Sequence, residues 1–211
     1  TLEGAKVLGV FEIQPYPSGL PRNVEQCLND YHIPLYLSHS VTDIRGRDRL
    51  ESVVVSQVDE NLAPIPGTEK EYPCDTLILS VGLIPENELT WMAGAEADEG
   101  TKGPAVDENY QTTVPGIFAA GNVLHVHDLV DFVSLEAEAL AERAARLIQE
   151  GSLPGCHLNV KGDPLVGQLV PARISGQNDV TVSFRVRRPL KDCTIEICQG
   201  ENVIKRLKKP K

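Results

Sequence analysis

The spacing of apolar residues changes period along the chain. Residues 5–11 (AKVLGVF) form a short apolar run ending at Glu12, which predicts a strand buried on both faces. Residues 13–19 are loop chemistry. Residues 21–31 (PRNVEQCLNDY) then space Val24, Cys27, Leu28 and Tyr31 at helical intervals, with Pro21 suited to a first turn. Residues 33–37 predict a second strand, completing a β–α–β unit. Beyond it the period shortens. Residues 40–44 and 50–58 (LESVVVSQV) alternate like antiparallel strands across the charged turn 45–49. After a polar Pro/Gly turn at 59–70, residues 74–81 (CDTLILSV) predict another buried strand, leading into Gly82-Leu-Ile-Pro85.

In the second half, Val114-Pro115-Gly116 signals a turn and residues 117–120 a short strand. From about 129 to 149, Val130, Val133, Ala137, Leu140, Ala141, Ala144 and Leu147 follow a helical stripe, with Gly151 placed to end it. From Cys156 onward the pattern is all-β, with strands predicted over 168–174, 180–187, 194–198 and 203–207. The expected fold class is α/β, a parallel sheet plus a β-meander, followed by a small all-β C-terminal domain.

Composition narrows this picture. The chain has 211 residues, 41% hydrophobic and 24% charged, as expected of a soluble globular protein of one or two domains. No run reaches the ~18–20 apolar residues of a membrane span. The first residues read like a helix end running straight into a strand, the expectation for a segment of a longer chain. Five cysteines with no Cys-x-x-Cys pair argue against a disulfide framework and for a reducing, cytoplasmic setting. Charge is uneven: residues 1–155 hold 9 Lys/Arg against 25 Asp/Glu, and residues 156–211 hold 11 against 5. A basic segment lacking interleaved aromatics favours docking onto an acidic surface, such as a partner subunit, over nucleic acid.

Candidate chemistry gathers at strand ends, where open α/β sheets bind ligands. Two predicted strands finish in small residues, at Ser80-Val81-Gly82 and Ala119-Ala120-Gly121. Gly121 would let a ligand approach the backbone, and Asn122 offers an acceptor and two donors. An ordinary strand–helix connection would use the same two residues. Glu12 stands where a βαβ dinucleotide fold places its ribose-binding acid, although the chain contains no Gly-x-Gly-x-x-Gly. His125-Val-His127-Asp128 invites a zinc reading, and hence a metal-dependent hydrolase. The aspartate follows too soon for the His-x-His-x-Asp-His pattern, and Asp128 as cap of the next helix is preferred. No nucleophilic triad is supported.

Three segments together resemble the FAD-dependent pyridine nucleotide-disulfide oxidoreductases. Thr112-Thr-Val-Pro-Gly-Ile-Phe-Ala-Ala-Gly-Asn-Val123 resembles that family's second FAD motif, T-x-x-P-x-(I/V)-(Y/F)-A-x-G-D. Asp75 through Pro85 resembles the segment leaving the NAD(P)-binding domain, and Gly4 through Glu12 that domain's second strand with its acid. The resemblance covers about residues 1–150. It implies Rossmann-like domains: 1–82 NAD(P)-binding, without its Gly-rich loop, 83–152 the returning part of the FAD domain, and 153–211 a β-rich appendix. It implies FAD and NAD(P) as cofactors, with hydride passing between nicotinamide and flavin to an acceptor. Glu12, Gly82, Gly121, Asn122, Val123, Phe132 and Val133 are the implied cofactor-binding residues. Asn122 departs from the family's aspartate, which accepts a hydrogen bond from the ribityl chain. No redox disulfide is present in these residues. His125 or His127 is the candidate acid–base group from position alone, and a non-catalytic docking module is the alternative function.

Overall fold

A computed structural model describes residues 1–209 and divides the chain into two compact units, Thr1–Val81 and a second from Gly82 onward. In the first, β1 (Val10–Glu12) and β2 (Leu35–Leu37) pair in parallel, setting Glu12 opposite Leu37 at the strand ends. The crossover contains α1 (Pro21–Asn23), which runs on as a π-helical turn over Val24–Asn29. The helix predicted over 21–31 is therefore short and irregular. Of its stripe only Val24 and Leu28 are half-buried, while Cys27 and Tyr31 are exposed. A short helix draws its regularity from a buried face, and this one has almost none.

Next, β3 (His39–Arg45), β4 (Ser52–Gln57) and β5 (Lys70–Pro73) form the expected antiparallel meander with β4 in the centre. Residues Ser52 to Ser56 are all buried, so β4 is covered on both faces. Val53, Val54 and Val55 supply the core, and Thr42 meets the buried Ser56 hydroxyl at 3.0 Å. Phe11 stacks on Tyr36 at 5.1 Å and meets Tyr72 edge-on at 5.0 Å, joining the parallel pair to the meander.

The predicted buried strand 74–81 is not formed. The meander's ladder ends at Pro73 with one further bond, from Cys74 N–H to Glu51 O at 3.1 Å, and no strand among the described residues lies beside the segment that follows. Ile78, Leu79 and Val81 are consequently exposed at 86%, 64% and 88%.

The second unit opens with α2 (Glu88–Met92). Residues 117–120 run extended without forming a full strand. Ala119 N–H donates to Tyr110 O at 3.0 Å, and Thr112 N–H to Ile117 O at 2.8 Å. A 3-10 turn over Gly121–Val123 leads to α3 (Val130–Glu150), which ends on Gly151 in the left-handed conformation, as its position predicts. The core is small: Val106, Ala119, Leu124 and Val170, with Tyr110 and Val123 packed against it.

The all-β segment is built from two-stranded ladders. β6 (Leu158–Asn159) pairs with β8 (Arg173–Ile174), and β7 (Val166–Val170) with β9 (Ser183–Val186). β10 (Cys193–Gln199) and β11 (Asn202–Lys209) form a hairpin. The strand predicted over 168–174 is divided at Pro171 into β7 and β8. Ala172 N–H donates to Val106 O at 2.9 Å. The Glu108 carboxylate accepts from Ser175 N–H at 2.6 Å, from the Ser175 hydroxyl at 2.8 Å and from Asn178 Nδ2 at 3.1 Å. Burial alone would raise the Glu108 pKa, but these donors outweigh it and hold the group below its ordinary value.

Two outcomes are expected. Leu124, wholly buried, truncated to alanine should lower unfolding free energy by about 2–5 kcal/mol in urea titrations. Glu108 is more acidic folded than unfolded, so its stabilisation is complete above its ordinary pKa and disappears as pH falls through the lower folded one. Urea midpoints followed into that acid range should therefore decline less steeply for Glu108→Gln than for the parent.

Candidate functional site

The strand-end turn is organised by its backbone. Ala120 is extended, whereas Gly121 takes φ +70°, so the chain reverses direction and turns into the 3-10 segment. A Cβ at Gly121 would lie 3.2 Å from Val133 Cγ1, so the first turn of α3 packs directly on that glycine. Leu124 N–H and His125 N–H both donate to Gly121 O, at 2.9 and 3.1 Å. Asn122 is exposed, and its Oδ1 accepts the His127 N–H at 3.1 Å.

An open cleft of about 790 Å³ adjoins this turn, lined by Gly82, Pro85, Asn87, Trp91, Asn122 and Val123 among others. Asn87 is buried, and its Nδ2 donates to Val123 O at 2.8 Å. Because a carbonyl only accepts, that bond fixes the amide's orientation and leaves Oδ1 without a partner. A buried unpartnered acceptor costs roughly 1–3 kcal/mol.

Behind the turn lies Glu136, the one buried residue of α3. Its Oε2 accepts the Gly121 N–H at 2.5 Å and faces His127 Nε2 at 3.1 Å, while Oε1 faces His125 Nε2 at 2.9 Å. The two imidazole rings are 4.1 Å apart. Burial would raise the Glu136 pKa, but the His125, Gly121 and His127 bonds prevail and keep it below the ordinary range.

Sequence patterning overlooked this carboxylate because a stripe of apolar residues is blind to a buried charge. The signal was nevertheless available: Glu136 shares the row 136–140–143–147 with the half-buried Leu140 and Leu147. Asp128 behaves otherwise than expected. The helix N-cap is Leu129, with no side-chain cap bond, and Asp128 pairs instead with Arg185 at 2.8 Å on the surface. It therefore joins neither the helix terminus nor the histidine pair.

The remaining sequence-derived residues fall as follows. Gly82, Asn122 and Val123 line the cleft, Gly121 and Val133 form the packed turn beside it, and Phe132 is exposed on the first turn of α3. In the first unit, the Glu12 carboxylate accepts from Gln14 N–H at 2.9 Å and from the Ser18 hydroxyl. Burial raises its pKa less than these donors lower it.

With this geometry in place, comparison with known proteins is decisive. The sequence pattern of the pyridine nucleotide-disulphide oxidoreductases matches residues 10–146. The chain belongs to that family. Members are FAD- and NAD(P)-dependent oxidoreductases. The chain is 27% identical over 156 residues to an NADH oxidase of Methanocaldococcus jannaschii, covering 70% of this chain and 31% of that protein. It is 30% identical over 99 residues to a thioredoxin reductase of Treponema pallidum, covering 47% of this chain and 29% of that one. Among solved structures, the thioredoxin reductase of T. acidophilum superposes with a TM-score of 0.59 at 25% identity, over 69% of this chain and 46% of that one. The Lactococcus lactis enzyme superposes equally well, TM-score 0.59, at 20% identity, a likeness of fold. The chain thus spans less than a third of the curated relatives named here, and its α/β class with nucleotide-binding architecture is that of the family. No helix of the described residues is long and apolar enough to cross a membrane.

The turn predicts a contrast between two acidic residues. Glu136→Ala strips the acceptor from a buried N–H and from two imidazoles, and should cost on the order of 3 kcal/mol in chemical denaturation. Asp128→Asn breaks only an exposed pair and should cost under about 1 kcal/mol.

Proposed function

We propose that these residues form part of a flavin-dependent oxidoreductase that exchanges hydride between a nicotinamide and FAD and passes the electrons to a separate acceptor. On this reading residues 1–82 serve the nicotinamide, 83–152 serve the flavin, and 153–211 are an appended β-rich segment. The observation that carries it is the 112–123 motif, which ends in the Gly121 turn against a helix N-terminus, beside a cleft with an unpartnered acceptor. Bound flavin would supply the two-electron chemistry.

The residues suit such a ligand. Gly121 permits close backbone approach, and the Asn87 Oδ1 lacks a donor of the kind ribityl hydroxyls provide. Asn122 has its carboxamide N–H groups available at the cleft rim, while its oxygen is engaged by His127 N–H. Val133 holds the turn rigid, and the first turn of α3, including Phe132, presents N–H groups and a positive dipole end to an electron-rich edge. Glu12, ending β1, is the proposed ribose-binding acid for the nicotinamide nucleotide. Neither phosphate group finds a Gly-rich loop in this sequence, so the residues proposed here hold the sugar and ring portions only.

A second reading, docking of a partner subunit by the C-terminal segment, is favoured by the β10–β11 hairpin. It exposes Ile197, Val203, Ile204 and Leu207 beside the basic Lys205, Arg206 and Lys208. A tight complex that persists after flavin is stripped would favour this reading over catalysis.

The protein purified from its source should carry a visible flavin band that bleaches under anaerobic NADH or NADPH. Absence of flavin, together with failure to take up added FAD, would overturn the proposal. Asn122→Asp should tighten flavin binding about fivefold, since a carboxylate can serve both His127 N–H and a ligand hydroxyl with charge assistance.

A further inference from the structure

The buried group of His125, His127 and Glu136 has a chemistry that neither the motif nor the cleft uses. Each residue offers one ligand atom, and the three atoms lie within 4.8 Å of one another. Both histidine side chains are about as buried as the carboxylate, at 11% and 8% exposed against 7%. Two elements contribute, the turn after Gly121 and the second turn of α3, so the cluster is a product of the fold and not of one local loop.

Charge is the telling feature. Glu136 is buried, yet among the described residues no lysine or arginine pairs with it. Its partners are two imidazole nitrogens and one peptide N–H, a setting in which a bound cation would compensate a buried carboxylate well. We propose that His125, His127 and Glu136 bind a divalent transition-metal ion of the zinc class. Two imidazole nitrogens and one carboxylate oxygen are a borderline donor set suited to zinc, cobalt or ferrous iron rather than to calcium or magnesium.

Distances agree with the assignment. Zinc bound to nitrogen and oxygen at about 2.1 Å separates neighbouring donors by about 3.3 Å. His125 Nε2 lies 2.9 Å from one carboxylate oxygen and His127 Nε2 3.1 Å from the other, and the three ligand atoms fall within 4.8 Å of one another, so modest side-chain shifts bring them onto one ion. On binding, each neutral imidazole carries its proton on Nδ1 and presents the Nε2 lone pair, and no electron transfer is involved. Three protein ligands leave a fourth position for water. The ion ties the turn to α3 in place of hydrogen bonds alone. The site excludes Asp128, which is committed to Arg185. This assignment uses the cluster alone and is independent of the flavin proposal.

The test titrates the chelator-treated full chain with Co²⁺ and then Zn²⁺, without flavin. Expected are visible cobalt bands saturating at about one equivalent, their loss on adding zinc, and a zinc-induced rise of several degrees in the thermal midpoint. Glu136→Gln keeps an acceptor for the Gly121 N–H but should weaken the metal more than about a hundredfold. His127→Ala should abolish the cobalt bands, and Asp128→Asn should leave them unchanged. A folded parent chain, judged by circular dichroism, that shows neither cobalt bands nor a zinc shift overturns the proposal. Equal affinity in Glu136→Gln, or loss of the bands in Asp128→Asn, does the same.

Discussion

The Glu136 carboxylate governs the geometry of the turn more than any apolar contact does. One oxygen takes the Gly121 N–H, which a left-handed glycine directs away from ordinary strand or helix pairing. Both oxygens meet imidazoles from the six residues that follow. An α-helix entering beside the open cleft is thereby locked to the extended segment that leads into it. Van der Waals packing of Val133 on Gly121 sets the spacing, and the carboxylate sets the orientation. A hydrophobic residue at 136 would fill the space while leaving a buried N–H and two rings unanchored, a loss that burial alone does not repair.

Asn122 has a divided role within that frame. Its oxygen stabilises the turn through His127 N–H, so the residue is partly structural. The amide cannot give its oxygen to the turn and to a ligand hydroxyl with the strength a carboxylate has for each. Asn87, also lining the cleft, spends its Nδ2 on Val123 O and leaves its buried Oδ1 without a partner.

Much of the fold was legible because its signals are local. The meander's alternation, the 130–150 helix with its terminal glycine, and the β-rich tail all follow from spacing and turn residues. What failed depended on partners. Residues 74–81 have a strand's composition, but a strand exists only when another offers a ladder. The 21–31 helix has the right period yet buries too little of its face to stay regular. Asp128 precedes a helix as a cap should, and Arg185 of β9 claimed it instead. At the site, the motif drew attention to Gly121 and Asn122, whereas Asn87 was invisible because its importance lies in burial, and Glu136 showed only as a charge on the row of Leu140 and Leu147.

The unpaired segment 75–84 has a consequence for handling the chain. It sets Ile78, Leu79, Val81, Leu83 and Ile84 in water together with a run of backbone groups outside any sheet. Such a stretch is a template for intermolecular β-pairing, since one copy's free N–H and C=O groups complement another's and the adjoining branched side chains exclude water as they meet. At high concentration the chain should therefore self-associate through this ribbon, and a lysine placed within it would act as a gatekeeper for solubility.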